Sequence, residues 1–252
     1  MSNHHEALVQ SQFSGQASAY LQSSVHAQGA DLRRLSEWLA DDKAARLLDV
    51  GCGAGHASFT AAPLVAEVTA YDLSEGMLTV VAEEAKKRGI SNITCVQGPA
   101  EVLPFADHHF DIVISRYSAH HWHDIQAALM EIRRVLKPGG RFIMMDIASP
   151  GKAILDVWLQ TVEMLRDPSH IHNYSQGQWL SMVNHRGMVV EKLVGDKLHL
   201  EFSSWVARMK TPENIVEAIR YLQSKVSDDV RTHFAIADDG SFVSDTIMFE
   251  AR

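Results

Sequence analysis

Through roughly the first 150 residues, brief apolar and β-branched runs alternate with longer segments whose apolar positions recur every three or four residues. Arg46–Val50, Glu67–Tyr71, Ile93–Gln97, Phe110–Ser115 and Arg141–Ile147 read as strands. Gly55–Leu64, Glu75–Arg88 and Asp124–Leu136 read as helices. In the last of these Ile125, Leu129, Ile132 and Leu136 share a face, and Asp124 stands where a side chain can cap the first turn. Such alternation predicts a parallel sheet covered by helices on both faces, with its ligand at the carboxyl ends of the strands.

The flanks are less regular. His5–Tyr20 and Ala27–Leu39 have a helical pattern and join around Ser23-Ser24. Beyond the sheet, Ala153–Leu165 and Gln176–His185 read as helices, and Val189–Val194 and Leu198–Phe202 as strands. Pro212–Lys225 reads as a helix capped by Thr211, with Pro212 at its first position. Asp239-Gly240 signals a turn before a final strand, Phe242–Glu250. No repeat, linker or low-complexity stretch interrupts the chain. One domain is therefore expected, with lid helices over 1–40, a ligand-binding core over 46–147, and substrate-side helices and final strands over 148–252.

Composition narrows the partners. The 252 residues carry a formal net charge of −8, are 46% hydrophobic and 21% charged, and show no cluster of Lys and Arg, so no nucleic-acid partner is expected. No apolar run is long enough to span a bilayer. Met1 to Ser24 lacks Lys, Arg and an apolar stretch, so no signal peptide is expected and a cytoplasmic location is. Cys52 and Cys95 form no motif and read as small hydrophobes in a reducing compartment. Among the 14 histidines no HxxxH pair carries a Glu in ligand register, so no metal is expected.

The most informative stretch is Leu47-Leu48-Asp49-Val50-Gly51-Cys52-Gly53-Ala54-Gly55, a strand running into a tight glycine turn that opens a helix. Glycines let the main chain approach a ligand closely, and free N–H groups at a helix start suit a carboxylate or phosphate. The spacing is GxGxG; the dinucleotide fingerprint would need a glycine where His56 stands, which counts against NAD. Asp72 ends the next strand, where a carboxylate can accept both hydroxyls of an adenosine ribose. Its alternative role, capping the following helix, can be filled by Ser74.

LLDVGCGAGHAS, AYDLSEGML, AEVLPFADHHFDIVISRYSAHHWHD and LMEIRRVLKPGGRF, in that order, resemble the class I S-adenosylmethionine-dependent methyltransferases. Within them the chain is similar to the small-molecule group that includes the ubiquinone/menaquinone-biosynthesis enzymes. The resemblance is dense from Asp49 to Ile147 and looser over FSGQASAY. It implies an α/β, Rossmann-like, mostly parallel seven-stranded sheet with the last strand antiparallel, helices on both faces and extra helices at either end. It implies S-adenosyl-L-methionine as cofactor and a small-molecule methyl acceptor, apolar or aromatic. By the same resemblance, Gly51, Gly53 and Gly55 surround the methionine end of the cofactor, and Asp49 supports their loop. Asp72 takes the ribose, Leu73 and Met77 pack on the adenine, Ala100 and Glu101 line its edge, and Arg116 lies beside the methionine tail. The family usually has an acid just before Ala100 for the adenine amino group, but here Pro99 stands there, so Glu101 or main chain must replace it. Lys137-Pro138-Gly139-Gly140 looks like a phosphate loop, yet reads better as a turn that launches the fifth strand.

A sulfonium methyl needs no protein nucleophile, only an acceptor held in line, dry and deprotonated. The loop after the fourth strand offers Tyr117, His120 and His121 as candidates for that work, histidine because it titrates near neutrality. One of the two histidines is expected to pack against the sheet, and His123 to be solvated or helix-capping. Trp158, His170, His172, Tyr174 and Trp205 could form either an acceptor pocket or a helix–sheet interface. Phe13 and Tyr20 are expected on a lid helix, with Tyr20 capping the site. Two other classes compete: a non-catalytic protein that binds the same cofactor, and an NAD-dependent oxidoreductase.

Overall fold

A computed structural model describes residues 4–14 and 29–252. The elements are α1 (His4–Ser14), α2 (Ala30–Trp38), β1 (Arg46–Val50), α3 (His56–Ala61), β2 (Glu67–Asp72), α4 (Glu75–Lys87), β3 (Ile93–Gln97), β4 (Phe110–Arg116), α5 (Ile125–Val135) and β5 (Leu136–Ile147). They continue as α6 (Ala153–Arg166), α7 (Gln176–His185), β6 (Val190–Leu200), α8 (Phe202–Arg208), α9 (Glu213–Lys225), α10 (Asp228–His233) and β7 (Phe242–Ala251). The strands form one sheet in the order β3-β2-β1-β4-β5-β7-β6. β1 to β5 pair in parallel, while β7 inserts antiparallel between β5 and β6, as the expected fold class requires.

Side chains alternate across a strand, so neighbours in sequence enter opposite cores. Leu48, Val113, Phe142 and Met144 face α5 and α7, in one cluster with Leu129, Ile132 and Trp179. Leu47, Ile112, Ile114, Ile143 and Met145 face α2 and α3, in a second cluster with Leu35 and Ala61. Burial on both faces is why β1 and β4 read as almost unbroken apolar runs. α5 is held at its start by Asp124, whose carboxylate accepts from Gln126 N and Ala127 N. A third core joins Trp158, Trp205, Phe234 and Phe242 beyond the end of β5, where α6, α8, α9 and α10 gather.

Four expectations change. β5 begins at Leu136 rather than Arg141: Leu136 pairs with Phe110, and the register shifts before Arg141 meets Ile112, so Lys137-Pro138-Gly139-Gly140 lies within an irregular start of the strand. The two short strands expected over 189–202 are one, β6, because β7 pairs through polar Gly195, Asp196 and Lys197 in unbroken register; an edge strand tolerates such residues on its open face. Phe202 instead starts α8, a helix capped by Glu201. Thr211 does not cap α9. Pro212 occupies the cap position without a side-chain bond, and the Thr211 hydroxyl donates to Arg166 O, a carbonyl at the end of α6.

Leu129 is fully buried against the sheet, whereas Met130 beside it is 54% exposed. Leu129→Ala is expected to cost about 2–5 kcal/mol in urea denaturation, and Met130→Ala to change stability by no more than about 0.5 kcal/mol.

Candidate active site

The carboxyl ends of β1, β2 and β4 open onto a cleft of about 1050 Å³. At its floor Gly51 N and Cys52 N both donate to Tyr71 O, tying the glycine turn to β2. Gly51 has φ +67°, and a Cβ there would meet Ser118 Oγ at 1.8 Å, so only glycine lets the β1 and β4 loops close on each other. Gly53 has φ +52°, lines the cleft, and a Cβ on it would meet no protein atom within 4 Å. Gly55 stands behind the wall as the cap of α3, which is only six residues long.

Asp72 links the two loops. Its Oδ2 accepts from Gly53 N and its Oδ1 from Ser74 N, both at 2.8 Å. Burial raises its pKa, against the pull of these main-chain donors. Ser74, not Asp72, caps α4 by accepting from Met77 N. Asp49 is fully buried behind the turn and does not line the cleft; Ser58 Oγ donates to its Oδ2 at 2.6 Å, and its Oδ1 has no partner. Burial pushes the Asp49 pKa up to about 7.

Leu73, Met77, Ala100 and Glu101 form one end of the cleft. There the Tyr71 hydroxyl reaches the carbonyls of Pro99 and Val102, fixing the turn, while Glu101 Oε1 accepts from Asp124 N at 3.1 Å. At the other end Arg116, buried and lying over the Tyr117 ring, is ion-paired to Asp31 of α2 at 2.5 Å. α1 covers the opening. Phe13 packs on Ala54 and Met77, Gln10 Nε2 donates to Leu73 O, and His5 Nε2 donates to His121 O. Tyr20 lies outside the described residues.

After β4 comes Tyr117, a non-glycine residue at φ +50°, and then a 3₁₀ turn over Ala119–His121. This turn separates the two histidines. His120 Nδ1 donates to the buried Asp146 of β5 at 2.6 Å, and its ring lines a second cavity of about 570 Å³. Burial lowers the His120 pKa, but Asp146 outweighs it and holds the net shift upward. His121 lines both cavities; its Nδ1 donates to Ser169 O, and burial together with the His120 charge pushes its pKa down to about 4. Tyr117 and Phe13 also line both cavities. His123 is exposed beside His5. The segment after α6 closes the turn from outside, with Ile171 N donating to His120 O. His170 is buried near both histidines and donates to Gln160 Oε1. Among the described residues no group of His, Cys, Asp or Glu is arranged to hold a metal ion.

The aromatic candidates divide. Trp158 packs between Phe234 and Phe242 in the third core, and Tyr174 packs on Trp179 with His172 against Tyr174; none of Trp158, His172 and Tyr174 lines either cavity. Trp205 is 1% exposed against Phe242, yet its face borders the second cavity. Sequence reasoning did not single out Asp146, whose signal is a lone carboxylate in the apolar run Phe142-Ile143-Met144-Met145-Asp146-Ile147. It also missed Asp31, Arg166 and Asn173, which carry no local signal at all.

The chain matches a methyltransferase domain family over residues 48–144. It is 59% identical over 202 residues to the uncharacterized protein YafE of Escherichia coli, covering 80% of this chain and 98% of that one. It is 34% identical to YcgJ, an uncharacterized methyltransferase of Bacillus subtilis, over 89% of this chain and 88% of that one. The crystal structure of YcgJ superposes with a TM-score of 0.84 at 32% identity, covering 87% of this chain and 96% of that one. The ubiquinone/menaquinone biosynthesis C-methyltransferase of Shewanella oneidensis shares 36% identity over 114 residues, but this covers only 44% of this chain and 45% of that one. With the glycine turn, the acid after β2 and the 3-2-1-4-5-7-6 sheet in place, the chain belongs to the class I S-adenosylmethionine-dependent methyltransferases.

Proposed function

We propose that this protein transfers the methyl group of S-adenosylmethionine to a small acceptor with an apolar or aromatic body, seated in the second cavity, with His120 receiving the acceptor's proton. The observation that carries the reading is the meeting of the two hollows at one turn, where Tyr117 and His121 line both and His120 lines the second in contact with a buried carboxylate.

The residues present fit the cofactor. Room for a Cβ on Gly53 is room for a ligand to lie against the main chain, and Asp72 beside it keeps lone pairs for two hydroxyls after accepting one N–H on each oxygen. Asp72 would hold the ribose, Leu73, Met77 and Ala100 the adenine faces, and Arg116 the methionine carboxylate. Glu101, on the wall where Pro99 replaces the family's acid, would accept from the adenine amino group. Asp49 and Gly55 act from behind, by shaping the turn. When bound, the cofactor supplies an electrophilic methyl on sulfur. The protein's work is to hold the acceptor in line, exclude water beneath α1, and take a proton at His120 Nε2 while Asp146 fixes the ring through Nδ1 and steadies the imidazolium that results. His121, neutral near pH 7, shapes the junction.

S-adenosylhomocysteine at a hundredfold excess over its Kd is expected to raise Tm by about 5–10 °C in thermal denaturation, and Asp72→Ala to remove most of that rise; no shift with the natural sequence would contradict the reading. Gly53→Ala is expected to cost only about 1–2 kcal/mol of stability but to weaken S-adenosylhomocysteine binding at least tenfold by calorimetry, whereas Gly51→Ala, which drives a methyl into Ser118, loses considerably more stability. His120→Gln should lower kcat by about 10²–10⁴ with S-adenosylhomocysteine affinity intact. Because His120 must be unprotonated to act and Asp146 raises its pKa above 6.5, activity should rise with pH through a midpoint above that value. Asp146→Asn should move the rising limb to lower pH while lowering kcat, a displacement that a purely structural role would not produce.

A further inference from the structure

The second cavity has a polar end that the reaction above does not use. Leu198, Leu200 and Trp205 supply its apolar side. Opposite them in character is Asn173, only 2% exposed. Gln160 clamps its main chain from both sides, accepting from Asn173 N at 3.0 Å and donating to Asn173 O at 2.8 Å, which fixes where its side chain stands. Yet neither Oδ1 nor Nδ2 of that side chain has a hydrogen-bond partner. Arg166 shares the wall. Its guanidinium lies 4.8 Å over the Trp205 ring, and its Nε is 3.6 Å from Glu163 Oε2, beyond hydrogen-bonding reach, so the Nε–H also finds no acceptor. Arg208 brings a second guanidinium to the same wall.

Buried polar groups in folded proteins are almost always satisfied, and exceptions gathered at one cavity point to a ligand that satisfies them. The charges give its sign. Two arginines on the wall face one carboxylate, Glu163, while Asp146 and Asp167 lie off the wall, the first bonded through Oδ1 to His120 and to Ile147 N and the second through Oδ1 to Ser169. A guanidinium freed from full pairing, next to an amide that can both donate and accept, is complementary to an oxyanion with a hydrogen-bond donor close by. A neutral hydrocarbon or a quaternary amine would leave the Arg166 Nε–H and the Asn173 amide unpaired.

We propose that the methyl acceptor carries an oxyanion, carboxylate or phosphate, gripped by Arg166 and Arg208 with Asn173 completing its hydrogen bonds. The apolar body then lies along Leu198, Leu200 and Trp205, and the reacting atom reaches the His120 end. The inference rests on the second cavity being the acceptor site. Arg166 and Asn173 are specificity-determining residues in this arrangement; neither lines the cofactor cleft.

The test uses the full chain saturated with S-adenosylhomocysteine and four probes that share a ring and differ in head group: 4-hydroxybenzoate, phenyl phosphate, 4-hydroxybenzamide and phenol, at equal ionic strength. At least one of the two anions should raise Tm further and bind at least tenfold more tightly than the amide and phenol; the stronger of the two identifies the head group. Arg166→Gln should abolish that preference and Arg166→Lys retain part of it, with S-adenosylhomocysteine affinity unchanged in both. Asn173→Asp, which sets a like charge beside the anion, should weaken anion binding at least tenfold and serves equally if Arg166→Gln fails to fold. Equal binding of all four probes, binding of none, or an anion preference that survives Arg166→Gln or Asn173→Asp overturns the inference while leaving methyl transfer standing. Failure of S-adenosylhomocysteine itself to bind overturns the underlying reading and the inference with it.

Discussion

The site depends on how two strand ends are bound to each other. Tyr71 O takes the N–H groups of Gly51 and Cys52, and the Asp72 carboxylate next to it takes those of Gly53 and Ser74. A single dipeptide at the end of β2 thus orders both loops that border the cleft. These four short bonds from main-chain donors, two to a carbonyl and two to a carboxylate, hold the cleft's floor in a half-buried setting. The cost is a carboxylate whose burial disfavours its charge, offset by the donors that hold it. Asp49, one strand over, adds a second buried acid, kept off the cleft and tied to Ser58.

From that floor the rest follows outward. Gly51 lets the β4 loop close in, Ser118 there receives the Trp122 indole N–H, and the 3₁₀ turn that follows splits two adjacent histidines between different partners. The neighbouring imidazoles carry opposite biases, one facing a carboxylate and one facing a carbonyl and a charged neighbour. The helices after β5 then enclose the second cavity, with its core of Trp158, Phe234 and Phe242 giving the arginine-bearing wall a rigid backing.

Much of the sheet was legible because its central parallel strands are buried on both faces and their helices are amphipathic; β1 begins and ends where the pattern of residues puts it, and so does β3, a half-exposed edge strand marked by its β-branched residues. The errors fall where tertiary pairing overrides local signals. β7 keeps β6 continuous through Gly195-Asp196-Lys197, and the Pro138-Gly139 kink is absorbed into β5 as a register shift. The cofactor side of the site was legible because it is local, a glycine turn and an acid close behind it. Of the second cavity only the loop after β4, with Tyr117, His120 and His121, was legible; Asp146 reaches His120 through the pairing of β4 with β5, and Arg166 and Asn173 arrive from the end of α6 and the segment after it, which only tertiary packing brings there.

The most direct test of the central claim is a crystal structure of the protein with S-adenosylhomocysteine. The account predicts both ribose hydroxyls on Asp72, the homocysteine end against the Gly51–Gly53 turn near Arg116, and the sulfur directed at the Tyr117–His121 turn. A ligand bound elsewhere, or one in this cleft with Asp72 turned to water and its bonds to Gly53 and Ser74 broken, would contradict it.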